Sequence, residues 1–305
     1  MFCFREKEQM EKITTELMGG IGNQLFQYFA GVHFSRKFQT DLELIEPIKS
    51  LHNQQHKLSS VRDFNLVTNH KWEMESFFTK HLLINRVFFW ISQRSNILSG
   101  FISTFGYVTE GAISKYDLKR FKTNSIYLKG YFQTYRYFME MTQEAKIITI
   151  ANPTPWFQLM LEDIRRHPYI AMHVRRGDYH DAGNKMGALT VKYYEEALGK
   201  LEKLGHPILI FSDDMQAAKE MLIPILGSRG LYIDPPRDAS AAESLILMSH
   251  CEAIIAANST FSFWAALLSK PETPIVYPNP WFFSEQYAVP EIPDTWISAK
   301  SNFEN

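Results

Sequence analysis

The sequence predicts an α/β protein built on parallel, doubly wound sheets. Three observations carry this expectation. Strand and helix patterns alternate from Trp156 to Leu268, the chain opens on a strand, a glycine turn, a helix and a second strand, and a proline pair divides the 305 residues into two stretches, each long enough to bury a core.

Taken in order, Ile13 to Met18 reads as a strand ending in Gly19-Gly20, and Asn23 to Lys37 shows helical spacing of Leu25, Phe29 and Val32. Asp41 to Ile45 alternates Leu42 and Leu44 with polar neighbours, completing a β-α-β opening. From residue 48 to 122 the periodicity blurs, and the aromatic-rich stretch, with Phe77, Phe78, Phe88, Phe89 and Trp90, reads as mostly helical. Ser125 to Gly130 is a strand candidate and Phe138 to Ile148 a helix candidate. Asn152-Pro153-Thr154-Pro155 then breaks the pattern and marks a linker, giving domains 1–150 and 151–305. Beyond it the expected helices are 156–166, 191–204, 215–221, 241–249 and 261–268, interleaved with strands 169–174, 207–211, 231–233 and 253–257.

Composition excludes several classes. With 45% hydrophobic and 21% charged residues the chain is neither disordered nor collagen-like. Lys plus Arg (32) balance Asp plus Glu (33), so no global field points to nucleic acid, and any anion site must be local. Cys3 and Cys251 match no metal or redox spacing. The first twelve residues do not read as a secretory signal or anchor. The apolar run from Ala253 to Ser269 is interrupted by Asn258, Ser259, Thr260 and Ser262, which favours a strand, turn and helix over a membrane span.

Four constellations could carry chemistry. Gly19-Gly20-Ile21-Gly22-Asn23-Gln24 sits where a strand meets a helix, and free N–H groups there favour a phosphate. It lacks the Lys-Ser/Thr of a P-loop, and Leu25 replaces the closing glycine of a dinucleotide fingerprint, so a plain tight turn reads equally well. His173-Val174-Arg175-Arg176-Gly177-Asp178 follows a strand, at the carboxyl edge where open α/β sheets bind ligands. Two arginines suit phosphate oxygens, and alternation sends Arg175 to the side of His173 and Arg176 to the other, so that one faces a ligand while the other braces the fold. Asp213-Asp214, after the next strand, allows three readings: contacts to a nucleoside, a Mg²⁺ or Mn²⁺ site, or a helix cap. Asn258-Ser259-Thr260-Phe261-Ser262 opens the last predicted helix, where hydroxyls and N–H groups make either a second anion cradle or a cap. Three polar strand ends from one parallel sheet converge more readily than unrelated caps would, which argues for a nucleotide site.

Gly20-Ile21-Gly22-Asn23-Gln24, His173 to Tyr179 and Asn258 to Ser262, with Tyr193-Tyr194, Leu247-Met248-Ser249 and Pro280-Trp281-Phe282 beside them, resemble the signature motifs of the alpha-1,2-fucosyltransferase family, in the family's order. The resemblance runs from about Thr15 to Phe283. It implies a GT-B-like pair of Rossmann-like domains facing across a cleft, the first on the acceptor side and the second binding the donor. It implies an inverting, metal-independent transfer from GDP-β-L-fucose, with no cofactor, to the 2-hydroxyl of a galactose in an acceptor glycan. Arg175 would hold the β-phosphate, His173 and Asp213 or Asp214 the nucleoside, and Ser259, Thr260, Phe261 and Ser262 the diphosphate and base. Asn23 would reach the phosphate or fucose from the first domain. Asp178 is the preferred general base, with His180 and Asp181 as neighbours, although Asp178 can equally orient an arginine by an ion pair. A cytoplasmic protein, peripheral at the inner membrane face in one variant and assembling a bacterial surface glycan, is the matching expectation.

Overall fold

The computed structural model describes residues 10–46, 60–66, 70–73, 76–110, 123–143, 146–177, 186–284 and 289–304. The chain divides into two compact units, Met1–His56 with Leu66–Ile147, and Lys57–Asn65 with Ile148–Asn305. The short stretch ending at Asn65 joins the second unit because β3 (Phe64–Asn65) pairs antiparallel with β7 (Thr149–Ile150).

In the first unit, β1 (Lys12–Glu16) leads through the glycine turn into α1 (Ile21–Phe38), and β2 (Asp41–Ile45) returns beside β1 in parallel register, Ile13 opposite Leu42. The helix starts at Gly20 and ends where Gln39 turns left-handed at φ 52°, its N–H and that of Thr40 closing on the last carbonyls. One face of α1 lies so close to the sheet that a Cβ on Gly31 would come within 2.5 Å of Thr15 Oγ1 and 2.8 Å of Leu42 Cδ1. Glycine is what permits that approach. Among its described residues the stretch from 48 to 122 is chiefly helical, as expected, but not wholly so. Besides α2 (Phe77–Lys80), α3 (Leu82–Ser92) and α4 (Asn96–Ser103), it contributes β4 (His70–Glu73) and β5 (Tyr107–Val108) to the sheet. These strands are two to four residues long, too short for alternation to show. With β6 (Ser125–Leu128) the parallel order is β4-β2-β1-β6-β5.

The helix expected over 138–148 is reduced to α5 (Arg136–Met139), and residues 149–150 are strand. The chain is held to α1 instead. Glu140 Oε2 lies 2.8 Å from His33 Nδ1, and Arg36 Nη1 lies 3.3 Å from Met141 Sδ. Pro155 opens α6 (Pro155–Arg166) at a position where no N–H is needed, with Thr154 Oγ1 capping Phe157 N at 3.1 Å.

The second unit continues with β8 (Ile170–Val174), α7 (Val191–Lys200), β9 (Ile208–Ser212), α8 (Met215–Leu226), β10 (Gly230–Tyr232), α9 (Ala241–Ser249), β11 (Ala253–Ile255) and α10 (Thr260–Leu267). Two further strands, β12 (Ile275–Asn279) and β13 (Ile297–Lys300), were not anticipated. All six strands run parallel in the order β10-β9-β8-β11-β12-β13. The central strands β8, β9 and β11 are buried on both faces, as a sheet covered by helices requires, while the edge strands β10 and β13 are more exposed. Winding starts at β8, runs outward through β9 and β10, then returns to β11 and runs the other way. That is the Rossmann strand order, and the crevice at its reversal lies between the carboxyl ends of β8 and β11.

Candidate active site

Two of the sequence-predicted constellations flank that reversal. Beyond Val174, the end of β8, the backbone N–H groups of Arg176 and Gly177 both donate to the carboxylate of Asp213, at 2.8 and 3.2 Å. The same carboxylate receives Arg175 Nη1 at 2.8 Å. Asp213, one residue past the end of β9, therefore fixes the turn and the guanidinium together, with both side chains about one-fifth exposed. A Cβ on Gly177 would fall 2.7 Å from Asp213 Oδ2, so only glycine lets the carboxylate come this near.

Arg176 goes elsewhere. It is buried, and its Nη1 donates to Leu189 O at 3.3 Å and to Glu304 Oε1 at 2.6 Å. Asp214 accepts Ala217 N at 3.0 Å and is the cap of α8. The aspartate pair thus divides its work, one holding the arginine turn and the other a helix end.

His173, the last residue but one of β8, is buried, and its ring meets Phe261 at 5.2 Å between centroids. Burial lowers its pKa to about 4; the nearby Asp213 pulls it up and Arg175 pushes it down, so the imidazole is neutral near pH 7. Its Nδ1 is buried with no hydrogen-bond partner among the described residues. Tyr194 OH donates to His173 O at 3.2 Å, and Tyr193 OH donates to Ala256 O, so the pair of buried tyrosines on α7 ties the ends of β8 and β11 to one helix. Burial pushes both phenols up, which keeps them as donors.

On the β11 side, Ser259 Oγ caps Phe261 N at 3.3 Å. Ser262 Oγ accepts Ala257 N at 3.2 Å and reaches Ala257 O at the same distance, closing the turn internally. Asn258 Nδ2 donates to Met186 O at 3.1 Å and Gly187 O at 2.9 Å, anchoring the chain that enters α7. Thr260 is the first residue of α10. The structure thus gathers His173, Arg175, Arg176, Asp213, Asp214 and the segment 258–262 around one sheet edge. Asp178, His180 and Asp181 lie outside the described residues.

In the first unit the glycine turn stands at the carboxyl end of β1, the central strand, which lies between β2 and β6. Gly20 is the cap of α1 with open space where a Cβ would be, and Gly22 is buried in its first turn. Asn23 Oδ1 accepts Gln133 Nε2 at 2.9 Å, and Gln24 Nε2 donates to Gly19 O at 3.0 Å. Buried Gln27 accepts Met18 N at 2.7 Å. A side-chain bond thus joins the start of α1 to the chain beyond β6, and the sequence offered no sign of Gln133. Nor did it offer Glu110, which accepts the N–H groups of Tyr131 and Phe132. Near them Glu16, at the end of β1, takes Tyr127 OH and Lys129 Nζ.

What the arrangement can do is bind an anion. A neutral imidazole, a guanidinium fixed by a carboxylate, and the start of α10 converge where nucleotide phosphates sit in sheets of this order. Among the described residues no helix is long and apolar enough to cross a membrane.

Comparisons with known proteins show the family and the fold. The family described as Glycosyl transferase family 11 matches residues 12–293. The alpha-1,2-colitosyltransferase of Escherichia coli is 26% identical over 313 residues, covering 94% of this chain and 99% of the relative. The O-antigen biosynthesis glycosyltransferase WbnK of the same organism is 25% identical over 312 residues, covering 92% and 98%. Among solved structures, the fucosyltransferase NodZ from Bradyrhizobium superposes with a TM-score of 0.54 at 14% identity, over 85% of this chain and 93% of that one. NodZ alpha-1,6-fucosyltransferase soaked with GDP-fucose gives 0.51 at 14%, over 85% and 92%. At that identity the likeness is one of fold, and the fold is GT-B-like.

Proposed function

From the membership of this chain in glycosyl transferase family 11, to which it belongs and which makes it a glycosyltransferase, we propose that it moves L-fucose from GDP-β-L-fucose to the 2-hydroxyl of a galactose in a glycan, with inversion and without a metal. The observation that carries the donor half is Arg175 held at 2.8 Å by Asp213, in a turn whose two N–H groups the same carboxylate fixes. As the sugar–phosphate bond breaks, charge gathers on the β-phosphate, and a guanidinium already oriented stabilises it without reorganising. Asp213 spends its oxygens on the arginine turn and Asp214 on a helix cap, which supports a reaction where the cation is an arginine rather than a divalent ion. His173, neutral and buried, would offer its imidazole to the nucleotide as a hydrogen-bonding group. Asp178, His180 and Asp181, in the sequence just beyond Gly177, are the candidates for removing the acceptor proton, and an oxocarbenium-like transition state lessens the demand on that base.

A second reading has its own support. The relative named alpha-1,2-colitosyltransferase favours the same linkage with colitose as the group transferred. A panel of nucleotide sugars, each incubated with a galactose-terminated acceptor and read by mass spectrometry, separates the two. A fucosylated product resistant to every fucosidase but an α-1,2-specific one is expected. Turnover of the colitosyl donor alone would replace the fucosyl assignment, and donor hydrolysis with no acceptor product would remove the acceptor.

A further inference from the structure

The segment of the first unit from Phe77 to Phe105 is apolar on its exposed side. Ten of the nineteen exposed large apolar side chains among the described residues fall here, so this is a patch rather than scatter. Leu83 is 76% exposed, Trp90 59%, Ile97 84% and Phe101 63%. The buried positions of α2, α3 and α4 are mostly small and polar: Thr79, Asn85, Ser92, Ser99 and Ser103, with Ile102. Each polar one is hydrogen-bonded, Ser92 Oγ to Phe89 O at 2.8 Å, Ser99 Oγ with Thr109 Oγ1 at 2.7 Å and Asn85 Oδ1 with Tyr107 OH at 2.7 Å, for example. Phe78, Phe88, Phe89 and Ile91 pack part-buried on the tyrosines of the sheet. Helices whose solvent side is this apolar need an apolar cover.

Charge says which cover. Between Ser76 and Thr109 stand Lys80, Arg86 and Arg94 and no Asp or Glu, in a chain that otherwise balances its charges. The Arg94 guanidinium lies 3.4 Å over the centroid of the Trp90 ring, the pairing of a flat aromatic with a cation that suits a headgroup layer. A second copy of the chain docked by the same face would set three cations against three with no carboxylate between them. At 11 residues α3 is about 16 Å long, far short of the roughly 30 Å a span needs. We propose that the face formed by α2, α3 and α4 lies on an anionic phospholipid bilayer, with Leu83, Trp90, Ile97 and Phe101 at the acyl boundary and Lys80, Arg86 and Arg94 among the headgroup phosphates. The surface is independent of which sugar nucleotide the enzyme uses. It would hold the enzyme at acceptors carried on lipid.

The test is flotation of the full chain with vesicles of phosphatidylglycerol and phosphatidylethanolamine, beside vesicles of phosphatidylcholine alone. The expected result is flotation with the anionic vesicles at low salt and little with the neutral ones. Arg86→Gln with Arg94→Gln should weaken partitioning about tenfold or more, since each cation near the surface is worth roughly a fivefold change. Leu83→Ser, Trp90→Ser and Phe101→Ser together should abolish it with the circular dichroism spectrum unchanged. Because that triple variant stresses the fold, Trp90→Phe supplies a second measurement: it should keep vesicle binding and lose the vesicle-induced blue shift of tryptophan emission. A folded wild-type chain that floats with neither vesicle overturns the proposal. So does a blue shift that survives in Trp90→Phe, or a wild-type dimer that the triple variant converts to monomer while vesicles remain unbound.

Discussion

Arg175 and Arg176 are chemical twins one bond apart, and their surroundings give them separate tasks. Arg175 rests on Asp213 at the sheet edge, whereas Arg176 is buried against Leu189 O and Glu304. Arg175→Lys keeps the charge but loses the planar fork, so kcat should fall about 10²–10³-fold with the melting temperature little changed. Arg176→Lys should instead lower stability by about 1–3 kcal/mol with smaller loss of turnover in the folded fraction. Steady-state kinetics with thermal melts on both variants checks this, and collapse of kcat in Arg176→Lys alone would reverse the assignment. His173 adds a pH dependence. Its folded pKa, about 4, lies below the ordinary value of 6.5, so the unfolded chain takes up the proton first. The stability from keeping it neutral is full above pH 6.5 and is lost as pH falls toward 4, on the order of 3 kcal/mol in all. His33 and His250, also lowered by burial, act in the same direction. The melting temperature should drop from pH 7 to pH 5, less steeply in His173→Gln; equal slopes would show that His173 does not titrate as its burial requires. At this scale the sequence was legible where chemistry is local. The strand end placed His173 and Arg175, and the pattern Asp-Asp before a helix allowed a cap. Glu304 was not legible, because 128 residues separate it from Arg176 and nothing in an isolated Glu near Phe303 announces a partner.

Among the elements, the tightest contact is α1 on β1 and β2. Gly31→Ala places a methyl 2.5 Å from Thr15 Oγ1 and should cost about 1–3 kcal/mol despite the better helix propensity of alanine. Thr15 Oγ1 is buried without a hydrogen-bond partner among the described residues, so Thr15→Ala should be nearly neutral alone and should restore part of the loss in the double variant. Urea denaturation of the four chains measures the coupling, and strict additivity would place the strain at Leu42 instead. The ends of α1, α6 and α9 could be read from sequence to within two residues, whereas α7 stops at Lys200, short of the expected 204, and α8 runs to Leu226, past the expected 221. β12 and β13 could not be read. Pro278 stands inside the first, flanked upstream by Pro271 and Pro274, and the second, Ile-Ser-Ala-Lys, is a sheet-edge strand with one buried residue. Parallel pairing with distant strands, rather than local propensity, makes both of them strands.

For the whole molecule, the first expectation concerns the reaction. Transfer should persist in excess EDTA, measured as GDP release that requires both donor and acceptor. Loss of turnover restored by Mg²⁺ or Mn²⁺ would give Asp213 and Asp214 back to a metal. The order in which the second unit is wound has a temporal side. β8 is the first strand of its six-stranded sheet to be synthesised and one of the central ones, while β13, near the end of the described residues, is an edge. Beyond β13 the chain turns back under the arginine loop: Asn302 O accepts Thr190 N at 3.0 Å, Glu304 N donates to Ala188 O at 2.9 Å, and the Glu304 carboxylate meets Arg176. On the ribosome, therefore, β8, β9 and β11 can assemble while the loop that follows β8 still lacks its support. A product cut short before residue 302 would carry nearly all of the sheet and every sequence motif, yet leave Arg176 without its distant carboxylate in a buried setting. Chains cut before residue 302 should be cleaved more readily in limited proteolysis than the full sequence even though each signature residue is present, because the brace on Arg176 is missing.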